Sequence, residues 1–385
     1  MLIPSTDRDT EYKKFCAKRD ILFYMGITFE VVFMLFNLGA YTVPEWLNIG
    51  RFMQFASILF LGKILLTKYS VKEWMIIGLT IAFGMISFFA TGRDEWVLRV
   101  VLMLIASKGI DSVRISKYIL KLTLVGTACI VLLSLIGIGQ PMINTMDYGR
   151  GFGEESRWTF GMGHPNHLHG LFCYVCMLSI YIYHQKLKWY HYLSVAILNV
   201  ILFFFTISRT GLLATEILVV GAWIITGCKK EMLRKCLFIY GIVAIWGTVI
   251  FTIYVGKCGV HGTFLTLLDK ALSGRLTFID WYGDPETWRL FSQADDIGRA
   301  TIDVTYGAIV NAYGYAVLFA YTILNTLLQI RLYKEKNDIG MVIFQTCILY
   351  GMMENYMNSY FLMYNVVFIL IMGRWHKLLD FGKQE

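Results

Sequence analysis

The chain has 385 residues and a formal net charge of +8, yet only 16% of its residues are charged and 57% are hydrophobic. A soluble protein of this length carries about a quarter charged residues, so the composition excludes an ordinary soluble enzyme. Apolar runs of about twenty residues, each long enough to cross a bilayer, recur along the whole chain. We therefore expect an all-α polytopic membrane bundle, with residues 1–385 forming a single integral membrane domain.

The apolar runs predict about twelve spans. In chain order they lie near residues 21–40, 52–67, 73–90, 96–107, 118–138, 165–184, 191–207, 209–227, 237–256, 304–330, 339–353 and 360–373. No cleavable signal peptide is expected, because the polar stretch from Ser5 to Asp20 precedes the first run. Only the polar stretch ENYMNSY separates the last two runs, which form either two spans or one bent span with a re-entrant piece.

Every second loop is rich in basic residues, which predicts the orientation by the positive-inside rule. These loops include Lys13 and Lys14, Lys68 and Lys72, Lys186 and Lys188, Lys229 and Lys230, and Lys334 and Lys336. We expect them, and both termini, on the cytoplasmic side of the cytoplasmic membrane. The loop at 139–164 and the large loop at 257–303, before the third-last helix, are then outside.

The cations of the predicted outer side are mostly arginines, whereas those inside are mostly lysines. The outer arginines are Arg51, Arg93, Arg150, Arg157, Arg209, Arg275, Arg289 and Arg299. A guanidinium matches phosphate or carboxylate with two parallel hydrogen bonds and keeps its charge when partly buried. Individual arginines are expected either to pair with carboxylates such as Asp147 or Asp280, or to bind an anion; for the group we favour a bound anion.

The stretch RWTFGMGHPNHLHG, from Arg157 to Gly170, interrupts the apolar pattern with polar and flexible residues. Pro165 predicts the first residue of a helix. One interpretation is a capped helix start at the membrane interface. A second is a zinc site made by His164, His167 and His169, which lacks a completing ligand. The third is a helix N-terminus that faces an anion, with His164 and Asn166 as hydrogen-bonding side chains.

Charged residues inside the predicted spans support a different class of protein, a transporter or flippase. They are Glu30, Lys63, Arg99 and Glu216, and the simpler expectation is that Glu30 or Glu216 pairs with Lys63 or Arg99. No proline breaks a span, so the broken helices typical of transporters are weakly indicated. Cys173 and Cys176 lie at lipid depth, where packing is the expected role.

Four segments resemble the Wzy-type oligosaccharide repeat-unit polymerases of the O-antigen ligase and polymerase superfamily. We call them the four motif segments. They occur in the family's order between about 150 and 315: RWTFGMGHPNHLHG, TISRTGLLA (Thr206 to Ala214), SGRL (Ser273 to Leu276) and IDVTYGAIVNAYG (Ile302 to Gly314). The ligase branch usually has histidine where Asp303 stands, which favours a polymerase over a ligase. Val304 also replaces the asparagine that the family has after this aspartate.

The resemblance implies that undecaprenyl-diphosphate-linked oligosaccharide repeat units are joined into a capsular or extracellular polysaccharide. The leaving lipid diphosphate needs positive charge rather than a general acid, so arginines can serve without a metal or cofactor. We expect His164, Arg157, Arg209 and Asp303 to be catalytic, with His164 slightly favoured as the base. The residues expected to bind substrate are Asn166, Ser208, Arg275, Tyr306 and Arg150. A flippase and a chain-length regulator are expected partners, and nucleic acid is not.

Overall fold

The computed structural model describes residues 5–41, 49–148, 153–228, 231–283, 288–292, 302–355 and 363–378. These residues form helices and one short hairpin. The first nine helices are α1 (Ser5–Leu38), α2 (Ile49–Leu65), α3 (Val71–Ala90), α4 (Trp96–Ala106), α5 (Ser112–Leu135), α6 (Pro165–Tyr183), α7 (Trp189–Thr206), α8 (Arg209–Gly227) and α9 (Glu231–Cys258). The others are α10 (Thr263–Ala271), α11 (Arg275–Tyr282), α12 (Thr305–Tyr313), α13 (Tyr315–Lys334), α14 (Asp338–Gly351), α15 (Val366–Ile371) and α16 (Trp375–Leu378).

Seven of these helices are long and apolar enough to cross a membrane, namely α1 from Lys18 onward, α3, α5, α7, α8, α9 and α13. Three shorter helices, α2 from Met53 onward, α4 and α14, are also apolar. Helix α7 shows the pattern clearly, because Leu198 is 53% exposed and Phe204 is 75% exposed. Such faces suit contact with lipid tails rather than water. The prediction of an all-α multi-pass membrane bundle is therefore confirmed, while the number twelve stays a prediction.

The helices pack as two groups that meet along α5 and α6. In the first group α1 packs against α2 and α5, and α3 packs against α4. In the second, α8 packs against α6, α7 and α14, and α9 packs against α13 and α14. A continuous set of buried apolar residues runs through both groups.

The predicted span at 304–330 is wrong in one respect, because the chain breaks at Gly314 into α12 and α13. Gly314 has φ +89°, and a Cβ there would lie 2.6 Å from the Leu290 carbonyl oxygen. The backbone N–H of Tyr315 instead donates to the carbonyl of Arg289 at 3.0 Å. The apolar run is continuous across the break, so hydropathy alone does not reveal it. Gly314 permits the break because a positive φ costs glycine little.

Both predicted outer loops contain regular structure that the sequence pattern did not predict. The first holds an antiparallel hairpin of β1 (Ile143–Asp147) and β2 (Glu154–Trp158), in which Ile143 pairs with Trp158. The second holds α10 and α11. Both loops lie at the end of the bundle where α6, α8 and α12 begin and α14 ends, which we call the motif end.

The charged residues inside the apolar helices are paired locally. Arg99 Nε lies 3.2 Å from Glu30 Oε1, as expected from the sequence. Lys63 instead lies 3.6 Å from Asp20. Glu216 accepts a 2.9 Å hydrogen bond from Asn199, and no described lysine or arginine pairs with it. These contacts link neighbouring helices.

Candidate functional site

A buried carboxylate at the motif end collects hydrogen bonds from three separate segments. Glu354 follows α14 and is only 3% exposed. Its Oε1 accepts from Asn166 Nδ2 at 3.1 Å, from Thr210 Oγ1 at 2.6 Å and from Arg275 Nη2 at 2.9 Å. A carboxylate removed from water needs such donors, because an unpaired buried charge is strongly destabilising. We call Glu354, Asn166, Thr210 and Arg275 the Glu354 cluster.

The backbone of Glu354 connects the fourth motif to the same place. Thr305 Oγ1 donates to the Glu354 carbonyl oxygen at 2.8 Å, and Glu354 N–H donates to the Tyr350 carbonyl at 2.9 Å. Asn166, Thr210, Arg275 and Thr305 come from the four motif segments in order. The structure therefore brings all four segments together around one residue that lies outside them.

Arg275 lies between two carboxylates. It opens α11 directly after Gly274, which has φ +83°. Its Nη1 donates to the Leu272 carbonyl at 2.9 Å, its Nη2 binds Glu354, and its Nε lies 3.6 Å from Asp303 Oδ2. The Asp303 side chain remains 45% exposed. Arg275 is thus engaged by protein groups, whereas Asp303 offers an open carboxylate beside it.

Burial raises the pKa of Glu354 to about 7, and the nearby charge of Asp303 adds to this while Arg275 opposes it. With Glu354 protonated, the trio of Glu354, Arg275 and Asp303 has no net charge. With Glu354 ionised, the trio carries one net negative charge. A diphosphate is therefore a poor ligand for Arg275 in this arrangement.

His164 serves as the N-cap of α6. Its Nδ1 accepts a hydrogen bond from the Asn166 backbone N–H at 3.1 Å. The lone pair that a general base would use is therefore engaged by the helix. The two other histidines of the motif lie elsewhere: His167 Nδ1 is 3.1 Å from the Leu38 carbonyl, and buried His169 contacts Thr206 and Asn199 at 2.8 Å each. The three histidines do not converge on one point.

Arg157 is also engaged by protein groups. It is 1% exposed and forms an ion pair with Glu155, to which its Nε donates at 2.9 Å. Its guanidinium carbon lies 3.8 Å from the centre of the Tyr148 ring. The same ring also lies beside His164, with centroids 5.5 Å apart. Arg157 therefore attaches the hairpin to the start of α6.

The start of α8 is open by comparison. Ser208 is the N-cap residue, but its side chain makes no capping bond. Its hydroxyl is buried, at 1% exposure, and has no hydrogen-bond partner among the described residues. Arg209, the first helical residue, is exposed and has no ion pair within the described ranges. The first N–H groups of a helix lack intrahelical acceptors and favour negative charge. This point is suited to an anion.

The structure does not bring every predicted residue to the cluster. Tyr306 is 2% exposed and its hydroxyl donates to the Ile348 carbonyl at 3.4 Å, in the core. Arg150 and Arg299 lie outside the described residues. Asn166, Ser208, Arg209, Arg275 and Asp303 all lie at the motif end.

Sequence reasoning missed Glu354 and Thr210. The only sequence signal for Glu354 was a carboxylate between two apolar runs, in the polar stretch already noted. The structure also explains the last glycine of the first motif, because a Cβ on Gly170 would clash with the hydroxyls of both Tyr350 and Tyr364. Helix α6 can therefore approach this tyrosine pair only with glycine at that position.

Comparison of the chain with protein-family models, with curated proteins and with solved structures finds no match.

Proposed function

We propose that the protein is a glycosyltransferase of the cytoplasmic membrane that joins undecaprenyl-diphosphate-linked oligosaccharide repeat units on the outer face. The polymer formed is a capsular or extracellular polysaccharide. The observation that carries the proposal is the meeting of four motif segments, distant in sequence, around Glu354 at one end of a membrane bundle. Such a site lies where a membrane-anchored diphosphate and a water-soluble glycan can both reach it.

The proposal places the motif end outside. The opposite end holds the lysine-rich loops, for example those of Lys68 and Lys186. Labelling with a membrane-impermeant thiol reagent in intact cells tests this orientation, with Cys228 and Cys236 replaced by serine. Cys258 should react in this background. With Cys258 also replaced by serine, a Glu154→Cys variant should react and a Lys230→Cys variant should not. The reverse pattern would place the motif end in the cytoplasm and remove the proposed site.

In the proposed reaction, a hydroxyl of the acceptor repeat attacks the anomeric carbon of the donor glycan. The bond between this carbon and the diphosphate oxygen breaks, and the lipid diphosphate leaves with the electron pair. Arg209, Ser208 and the first N–H groups of α8 are suited to stabilise the leaving diphosphate. Arg157 and Arg275 hold the surrounding segments, since protein groups already engage both of them.

Asp303 is the better-placed group to accept the proton that the acceptor hydroxyl loses. Its carboxylate is partly open, whereas His164 would have to give up its helix cap to take a proton at Nδ1. The geometry thus favours Asp303 over the histidine that the sequence slightly favoured. A metal is not required by this scheme, because guanidinium and backbone N–H groups supply the positive charge.

A flippase is less well supported. Its charges would be expected along one central path, but Glu30 with Arg99, Lys63 with Asp20, and Glu216 with Asn199 are separate local contacts. A ligase of the same superfamily differs from a polymerase in its acceptor, and an elongation assay identifies the acceptor.

The test is elongation by the purified protein in detergent or vesicles, with lipid-linked repeat units as the only glycan. We expect a ladder of products from the wild type, strong loss with Arg209→Ala and a clear loss with Arg209→Lys, which keeps the charge but not the planar fork. The matched control is Arg114→Ala, since Arg114 is exposed near the start of α5 at the opposite end. If no ladder forms with repeat units alone and transfer occurs only when a second, non-identical acceptor is added, the protein is a ligase. Normal ladders from both Arg209 variants would contradict the role of Arg209.

A further inference from the structure

Glu354 lies too deep to meet a glycan or a diphosphate, yet it contacts both sides of the proposed reaction centre. Thr210, which donates to Glu354 at 2.6 Å, directly follows Arg209 in the first turn of α8. Arg275, which donates to Glu354 at 2.9 Å, lies 3.6 Å from Asp303 through its Nε. One carboxylate oxygen therefore connects the cation proposed for the leaving group with the carboxylate proposed for the acceptor.

We propose that Glu354 is a positioning residue that holds the Ser208–Arg209 anion site and the Asp303 carboxylate at their working separation. This inference rests on the proposed function. It assigns a role to a residue that belongs to none of the four motif segments.

The chemistry of the three donors explains why a carboxylate is suited to this place. An amide, a hydroxyl and a guanidinium all point at Oε1, and an ionised acceptor makes shorter and stronger hydrogen bonds than a neutral one. Glutamine at this position keeps the shape but loses the charge. Asp303 would then be the one described carboxylate left beside Arg275, which pulls the acceptor carboxylate toward the protein and away from solvent.

Protonation of Glu354 should have the same consequence as glutamine. Among the described residues, the charged or titratable groups around it are Arg275, Asp303 and the buried phenol of Tyr364. Since the pKa of Glu354 is raised to about 7 by burial, proton uptake below neutral pH should weaken its hold on Arg275. Turnover is then expected to fall on the acid side.

The experiment compares Glu354→Gln with Glu30→Gln in the purified full-length chain. Glu30 is the matched control, because it is also buried beside an arginine but lies in α1, away from the cluster. The measurements are kcat and KM for lipid-linked repeats from pH 5.5 to 8.5. We expect Glu354→Gln to lower kcat at least tenfold, to change KM less than threefold and to abolish the acid limb. Glu30→Gln should keep kcat within twofold and retain the acid limb.

A second measurement does not depend on activity. Backbone hydrogen exchange of residues 207–212 and 302–306 should accelerate at least threefold in Glu354→Gln and remain unchanged in Glu30→Gln. Thr210→Val should accelerate exchange at 207–212 alone. Should Glu354→Gln not fold, the double variant Glu354→Gln/Arg275→Met removes both buried charges and takes its place.

The possible outcomes separate the two proposals. A wild-type protein that does not elongate repeats contradicts the proposed function, and hydrogen exchange then decides the positioning role alone. Normal kcat, an unchanged acid limb and unchanged exchange in Glu354→Gln would overturn the role of Glu354. Equal losses of kcat in the Glu354 and Glu30 variants would also overturn it, because a general loss of stability would then be sufficient.

Discussion

Two buried carboxylates, each beside an arginine, differ in what they hold together. Glu30 of α1 and Arg99 of α4 are 1% and 3% exposed and lie 3.2 Å apart, and neither oxygen of Glu30 accepts a hydrogen bond from a described residue. Glu354 is similarly buried, but three donors from α6, α8 and α11 meet on one of its oxygens. The first is a one-to-one pair between two helices, and the second organises several segments. Burial of a charge alone therefore does not identify a site; the origin of its donors does.

The largest expected effect on stability concerns the ion pair of Glu30 and Arg99, in the first group of helices. Arg99→Met leaves Glu30 buried without its positive neighbour, and breaking a buried pair from one side costs about 3–5 kcal/mol. Arg275→Met should cost less, because Glu354 keeps Asn166 and Thr210 as donors and can take up a proton. Unfolding in detergent measures both variants.

The matched control is Glu30→Gln/Arg99→Met, which removes both charges and should recover much of the lost stability. An Arg275→Met variant that is less stable than Arg99→Met would contradict the distinction between the two carboxylates.

The second effect is a pH dependence of stability that the ionisation of Glu354 causes. Its pKa in the folded protein is about 7, above its ordinary value of 4.5, so the folded state keeps a proton that the unfolded state has already released. Stability should therefore fall as the pH rises from about 4.5 to about 7, by on the order of 3 kcal/mol, and level off above. Melting curves of wild type and Glu354→Gln at pH 5 and pH 8 measure it. The difference between the two pH values should shrink in Glu354→Gln, and an equal difference in both proteins would show that other groups cause it.

The third and smallest effect compares glycines of the two helix groups. Gly170 of α6 faces the hydroxyls of Tyr350 and Tyr364, whereas a Cβ on Gly78 of α3 would meet nothing within 4 Å. Gly170→Ala should destabilise the protein by about 1–3 kcal/mol through overpacking, and Gly78→Ala should be neutral or slightly stabilising. Thermal melting of the two variants provides the comparison, and equal melting temperatures would show that α6 can shift without loss.

The sequence by itself determined the class of fold, because hydropathy is a local property and twenty apolar residues in a row have few alternatives to a membrane helix. It also predicted the start of α6 at Pro165, because proline is suited to a first helical turn. The four segments resemble a known pattern, and this resemblance alone points to Asn166, Arg209 and Asp303 as site residues.

Only the tertiary structure decided which of those residues are open and which are engaged. The sequence does not distinguish the three arginines at 157, 209 and 275. In the structure Arg157 pairs with Glu155 and Arg275 pairs with Glu354. Arg209 remains exposed. Glu354 itself lies nearly 190 residues after Asn166, and no periodicity connects them. Hydropathy likewise did not reveal the break at Gly314, since its cause is contact with residues 288–292. Ion pairs and breaks of this kind depend on distances between remote segments, which only the folded chain sets.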